Sequence, residues 1–115
     1  MRNMSFSLTT EQVRRREKTV TRRLGWWGLK PGTILQAVEK AQGLRKGEHV
    51  KPICLIRVVS VRLEPLYAIH NYDLEETTRE GFPQLTACEF EAMFVKANHL
   101  EGTWTPVNRI EFEYV

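Results

Sequence analysis

The run from Ile53 to Leu63 constrains the fold more than any other part of the chain. In an extended strand, alternate side chains point to opposite faces of the sheet. Apolar residues then lie on both faces, with Leu55, Val59, Val61 and Leu63 beside Arg57 on one, and Ile56 and Val58 beside Ser60 on the other. Because both faces need cover, we predict the central strand of a small barrel. Pro65 ends it, and Leu66 to Ile69 is read as a continuation.

Shorter strands are predicted on either side of this run. Residues 4–8 alternate and predict a first strand, and Ile34 to Val38 leaves the Pro31-Gly32 turn as another. Near the end, Ile110, Phe112 and Tyr114 alternate with charged residues, which predicts a half-buried closing strand.

Two helices carry the signature of a capping box, in which a threonine precedes an acidic residue or glutamine by three positions. Thr9 with Gln12 predicts a short helix over residues 10–16, and Thr86 with Glu89 predicts a helix over residues 86–97. Phe90, Met93 and Phe94 recur in the second helix at the spacing of one buried face.

Several short strands with few helices favour an α+β fold, here a small mixed β-barrel with flanking helices. At 115 residues we expect one domain, 1–115, with a core that needs neither disulfide nor metal. Cys54 and Cys88 are expected as small buried hydrophobic residues in a reducing cytoplasm, and not as a disulfide. The N-terminus lacks a signal-peptide pattern, so we expect a cytoplasmic protein with no membrane partner; composition leaves its oligomeric state open.

Charge is divided unequally along the chain. Residues 1–62 hold fourteen Lys and Arg against four Asp and Glu, whereas residues 63–115 hold three against ten. One reading is a basic face that attracts phosphate, including Arg14, Arg15 and Arg45. The other is that the two halves pair with each other.

The segment from Arg16 to Arg23 is the candidate functional site. If its strand began at Lys18, Lys18 and Thr21 would face opposite ways. They can meet if Lys18 lies on a turn before the strand, which we therefore predict. Arg16, Arg22 and Arg23 supply cations, and Trp26 and Trp27 either stack on a base or pack as structural residues. His49, His70 and His99 show no metal-ligand spacing, so no metal or cofactor is expected.

With Lys18, Thr21 and Arg23, the Pro31-Gly32 turn, the long strand and Glu80-Gly81-Phe82 before a helix, the chain resembles an ASCH domain. These are relatives of the PUA RNA-binding barrel, and the similarity is greatest to short stand-alone forms of phages and bacteria. It covers Ser5 to Val115. The chain departs from the family signature at Arg16, where a glycine is usual.

The resemblance implies binding of RNA or a nucleotide in a cleft around Lys18, Thr21 and Arg23. Its alternative is an amidohydrolase that deacetylates N4-acetylcytidine, for which Lys18, Thr21 and Glu80 match the family's catalytic lysine, threonine and glutamate. A ribonuclease-like protein that uses only the basic face is the third reading. RNA or a modified nucleoside is the expected partner in all three.

Overall fold

The computed structural model covers residues 1–115 and contains a five-stranded mixed sheet with few helices. In chain order the elements are β1 (Asn3–Ser5), α1 (Thr10–Arg14), β2 (Val20–Arg23), β3 (Ile34–Val38), β4 (Pro52–Pro65), a 3-10 helix (Leu66–Asn71), α2 (Glu76–Arg79), α3 (Ala87–Ala97) and β5 (Pro106–Tyr114). None of the helices has the length and apolar character needed to cross a membrane.

The long strand β4 lies in the middle of the sheet, as predicted. The strand order is β1-β3-β4-β5-β2, and every pairing is antiparallel except that of β1 with β3. A β-bulge between Val58 and Ser60 shifts the alternation of β4. Beyond the bulge Val61 packs against the core, whereas Leu55, Val59 and Leu63 are more than a third exposed. The prediction that both faces of β4 are covered is therefore wrong for one face.

The sheet is open, so the predicted closed barrel is not found. Closure would need the two edge strands to pair with each other, and β1 and β2 are only three and four residues long and have no common ladder. A side chain crosses the gap instead, because Arg23 Nη2 donates a hydrogen bond to the carbonyl oxygen of Ser5 at 2.5 Å.

Two hydrophobic clusters form the interior. The larger lies between the sheet and α1 and is built on residues such as Met4, Phe6, Val13, Ile56 and Phe112. The smaller joins the 3-10 helix to α3 through Leu66, Ile69, Phe90, Phe94 and Val107. The predicted burial of Phe90 and Phe94 is confirmed, and Met93 packs against the same cluster while half-buried.

The second capping box is confirmed: Thr86 Oγ1 accepts from the Glu89 amide at 3.1 Å, and Glu89 Oε1 accepts from the Thr86 amide at 2.9 Å. The first is wrong, since Thr9 makes no side-chain cap and α1 ends at Arg14. Thr9 is buried, and its methyl group lies beside Gly81.

The residues after Pro65 form a 3-10 helix rather than more strand. A helical turn places Leu66 and Ile69 on the same side, against α3.

Candidate active-site cleft

A cleft of about 340 Å³ lies between β2, the end of β1 and the face of α3 that carries Phe90 and Phe94. Six of the residues singled out in the sequence line it: Lys18, Thr21, Arg22, Arg23, Trp26 and Glu80. Its apolar wall comes from Phe6, Phe82, Phe90 and Phe94 among others. A cavity of this size, with aromatic walls and a few convergent polar groups, has the general form of a small-molecule site.

Lys18 precedes β2, as predicted, because the strand begins at Val20; it lies in the connection after the turn that follows α1. Three hydrogen bonds to backbone carbonyls fix this connection between α1 and β2. The Glu17 amide donates to the Gln12 carbonyl at 2.8 Å, the Thr19 amide donates to the Arg79 carbonyl at 2.9 Å, and the Tyr114 hydroxyl donates to the Lys18 carbonyl at 2.6 Å. The connection thus ties the start of β2 to the end of α2, where Glu80 lies.

Lys18 and Glu80 form a buried ion pair on the cleft wall. Lys18 Nζ donates to Glu80 Oε1 at 3.1 Å and also to the Glu80 carbonyl oxygen, and the two residues are 3% and 2% exposed. Burial lowers the pKa of Lys18 below its ordinary value of 10.5; Glu80 opposes this shift, and Arg23 and Arg22 add to it. Lys18 therefore gives up its proton more readily than a lysine in water.

Arg22 anchors Glu80 from the other side. Its Nη1 donates to Glu80 Oε2 at 3.0 Å, and its Nη2 donates to Glu76 Oε2 at 2.6 Å. Arg109 also binds Glu76, through Nε at 2.6 Å and Nη2 at 3.0 Å. Burial acts to raise the pKa of Glu76, but Arg109 and Arg22 together bring it below its ordinary value.

Glu76 and Arg109 were missed in the sequence. Glu76 and Glu80 are four residues apart, which in a helix places them on one side. That spacing was the available signal, but their common arginine is more than fifty residues away.

Thr21 and Arg23 lie side by side on β2. Arg23 Nε donates to Thr21 Oγ1 at 2.9 Å, and the Arg23 guanidinium lies over the Phe6 ring, 4.8 Å from its centroid. Burial lowers the pKa of Arg23 to about 10, against the opposing effect of Glu80, so the guanidinium is protonated at neutral pH. No hydrogen bond joins Thr21 to Lys18, although both line the cleft.

Backbone conformation explains two positions of the sequence pattern. Gly81 has φ +93°, and a Cβ there would meet Thr9 Cγ2 at 3.1 Å, so this turn of the Glu80-Gly81-Phe82 segment favours glycine. Arg16 has φ +61°, the left-handed region in which glycine is unstrained. Arg16 therefore has a backbone conformation that a glycine would adopt without strain, at the position where the resemblance to the ASCH signature implies a glycine.

Trp27 and four of the predicted arginines lie outside the cleft. Trp27 is exposed, whereas Trp26 lines the cleft and packs on the larger core cluster, with Arg2 4.1 Å above its ring. The exposed cations Arg14, Arg15, Arg16 and Arg45 do not line it either. Arg14 pairs with Glu11 and Glu39, and Arg15 with Glu17.

The two charge-divided halves meet in the interior. Lys18 and Arg22 from the basic half bind Glu64, Glu76 and Glu80 from the acidic half. Pairing between the halves therefore accounts for the most buried charges, and exposed arginines remain on the surface.

Comparison with known proteins finds solved structures of similar fold but no relative by sequence. No family model and no curated protein matches the sequence. The structure is similar to an ASCH domain from Lactobacillus crispatus JV V101, at 15% identity and a TM-score of 0.63 over 98% of this chain and 79% of that one. It is also similar to a DUF984 protein of Enterococcus faecalis V583, at 16% identity and a TM-score of 0.56 over 92% of this chain and 66% of that one. The chain has the fold of an ASCH domain, as the order of its motifs predicted.

Proposed function

We propose that the cleft binds a nucleoside or nucleotide, free or within an RNA strand. The observation that carries this proposal is the convergence of Lys18, Thr21, Arg23 and Trp26 on one open cleft with aromatic walls. A nucleobase needs a flat apolar surface for its ring and directed hydrogen bonds for its edge. Trp26 and the phenylalanines supply the first, and the polar groups supply the second.

Arg23 is the group best placed to orient such a ligand. Two of its three nitrogens are held by Thr21 and Ser5, which fixes the plane of the guanidinium. Nη1 makes no hydrogen bond within the protein and is available to an acceptor on the ligand. A guanidinium held in this way loses little conformational freedom when a ligand binds.

A second candidate function, hydrolysis of an amide on an acylated cytosine nucleoside such as N4-acetylcytidine, is favoured by the Lys18–Glu80 pair. A lysine that only bound phosphate would direct its ammonium towards solvent. Lys18 is instead 3% exposed, donates to Glu80 and has a lowered pKa. These are the conditions under which a lysine acts as a general base.

In the proposed reaction, neutral Lys18 takes the hydroxyl proton of Thr21, and Thr21 Oγ1 attacks the acetyl carbonyl carbon. The bond from that carbon to the exocyclic nitrogen of cytosine then breaks. Glu80 takes that proton from Lys18 along their hydrogen bond and gives it to the departing amine. Water then hydrolyses the acetyl-threonine ester to acetate and free Thr21. Arg22 keeps Glu80 in place, and Arg23 Nη1 orients the base.

The two functions are separated by measuring binding and turnover on the same variants. Wild type should convert N4-acetylcytidine to cytidine, and the conversion can be measured by chromatography. The Thr21→Ala variant should lose turnover and still bind cytidine. The Thr21→Ser variant should retain part of the turnover, because its hydroxyl remains. Thr19→Ala is the matched control, since Thr19 is a neighbouring threonine that does not line the cleft.

Turnover by Thr21→Ala at the wild-type rate would exclude Thr21 as nucleophile. Binding of cytidine without any turnover by wild type would leave the cleft a binding site. No binding of nucleosides or nucleotides by wild type would overturn the proposal as a whole.

Binding of RNA through the basic face, which includes the ribonuclease-like reading, is supported only by the exposed arginines. It makes a distinct prediction, because each neutralised phosphate releases counterions and makes affinity fall with salt. Reversing the charge of Arg14, Arg15 and Arg45 together should weaken binding of single-stranded RNA at low salt without affecting nucleoside binding. Equal affinity of the triple variant and wild type would exclude this face.

A further inference from the structure

Outside the cleft, the fold brings His70 close to Cys88 and Glu91, which follow it by 18 and 21 residues in the sequence. His70 at the end of the 3-10 helix, and Cys88 and Glu91 on α3, place one ligand atom each within 4.8 Å of the others. His70 Nε2 and Glu91 Oε1 are 2.6 Å apart. We propose that these three side chains bind a divalent transition-metal ion, with zinc the best match.

The donor set fits zinc in chemistry and in size. Zinc is bound in proteins by imidazole nitrogen, thiolate sulfur and carboxylate oxygen at about 2.0–2.3 Å. In a tetrahedral site, such ligands lie roughly 3.5 Å from one another. The three atoms lie within 4.8 Å of one another, so rotation of the exposed His70 and Cys88 side chains would bring them to that separation. Three protein ligands leave a fourth position for water or an external ligand.

The ligands lie on elements that are fixed relative to each other. Cys88 and Glu91 are three residues apart on α3 and so share a face. The 3-10 helix that carries His70 packs on α3 through Leu66 and Ile69. The prediction that Cys88 is buried is wrong, because α3 places it at the surface. His70 is exposed too, so an ion has access from solvent.

A second, independent observation that points to a metal ion is that Glu91 has no arginine or lysine partner. The other buried glutamates, Glu64, Glu76 and Glu80, each lie within ion-pair distance of an arginine or lysine. Glu91 is 8% exposed, and its sole basic neighbour is His70. Because a buried carboxylate needs a counter-charge, a metal ion at His70 and Cys88 would supply what the arginines supply elsewhere.

The test is titration of the chelator-treated chain with zinc chloride in a calorimeter, with magnesium chloride as the hard-cation control. Zinc should bind with 1:1 stoichiometry and magnesium should not. Cys88→Ser and His70→Gln should each weaken zinc binding by more than the roughly 10–100-fold caused by loss of an outer-shell partner. Glu91→Gln should weaken it in the same direction.

Cys54→Ser and His49→Gln are the matched controls, since they remove the other thiol and a histidine from a different part of the surface. Both should bind zinc like wild type. A readout that needs no variant is thiol alkylation: zinc should slow the modification of Cys88 and leave Cys54 unchanged.

Absence of saturable zinc binding would overturn the proposal. So would undiminished binding in both Cys88→Ser and His70→Gln, or a Cys88 that zinc does not protect. Because none of these side chains lines the cleft, the result is independent of nucleoside binding and turnover.

Discussion

Replacement of Arg22 by methionine should destabilise the fold more than any other single loss of charge in the sheet. The Arg22 side chain is fully buried and donates to Glu80 at 3.0 Å and to Glu76 at 2.6 Å. Removing one member of a buried ion pair typically costs 3–5 kcal/mol, because the remaining charge is left desolvated. Here Glu80 keeps Lys18 and Glu76 keeps Arg109, so we expect the lower end, about 3 kcal/mol.

The assay is urea unfolding of the variant beside Arg57→Met. Arg57 also pairs with a glutamate, Glu113 at 3.0 Å, on the same sheet, but both side chains are about half exposed. An exposed pair of this kind contributes about 0–1 kcal/mol. Equal losses of unfolding free energy for Arg22→Met and Arg57→Met would refute the reasoning, since the expected difference rests on the burial of Arg22 and its glutamate partners.

The same substitution tests the link between the ion network and the cleft. Arg22 helps to lower the pKa of Lys18, so its removal should raise that pKa. If Lys18 is the general base, it must be neutral to act, and the rise of kcat with pH should shift to higher pH in Arg22→Met. A variant that is destabilised but keeps the wild-type pH profile would separate Arg22 from the chemistry.

Three further variants test other parts of the structure. Phe94→Ala should cost about 3–5 kcal/mol by urea unfolding, because it leaves a cavity between α3 and the 3-10 helix; a loss below about 1 kcal/mol would contradict the packing of the smaller cluster. Since the folded-state pKa of Glu76 is lowered, its stabilisation is present above the ordinary value of 4.5 and is lost as pH falls through the lowered pKa; Glu76→Gln should flatten that acid limb. Arg16→Gly should leave stability unchanged or raise it slightly, as the residue has φ +61°, whereas a clear loss would show that the stacking of Arg16 on Tyr114 matters more.

The parts of the fold that sequence reasoning predicted are those set by local chemistry. Strand β3 was predicted with its observed bounds, and α3 was predicted from its capping box and the spacing of its phenylalanines. The position of Lys18 before β2 followed from strand alternation alone. For β3 and α3 the deciding signals lie within a few residues of one another, whereas the segment that carries Lys18 is held by contacts with the distant Arg79 and Tyr114.

The parts that were wrong depend on distant contacts. Nothing local in β1 or β2 specifies whether the two edges pair, so the barrel was inferred from the strand content and from the apolar residues on both faces of β4. The bulge in β4 likewise arises from its register with β5. The role of Arg22 as the partner of both Glu76 and Glu80 needed the fold, because the charge division predicted attraction between the halves but not the individual pairs.

The buried ion network bears on the choice between the two proposed functions. A network of this kind is a weak source of stability, since apolar residues of similar volume often stabilise a protein equally well or better. A site that only bound a nucleotide would keep its lysine directed to the ligand and would not need Glu80 held from two sides. In this cleft the donors of Lys18 are taken up by Glu80, and Arg22 fixes Glu80 against Glu76. Burial lowers the pKa of Lys18 in the same cleft as Thr21, which supports the proposed hydrolysis as the second candidate function beside nucleotide binding.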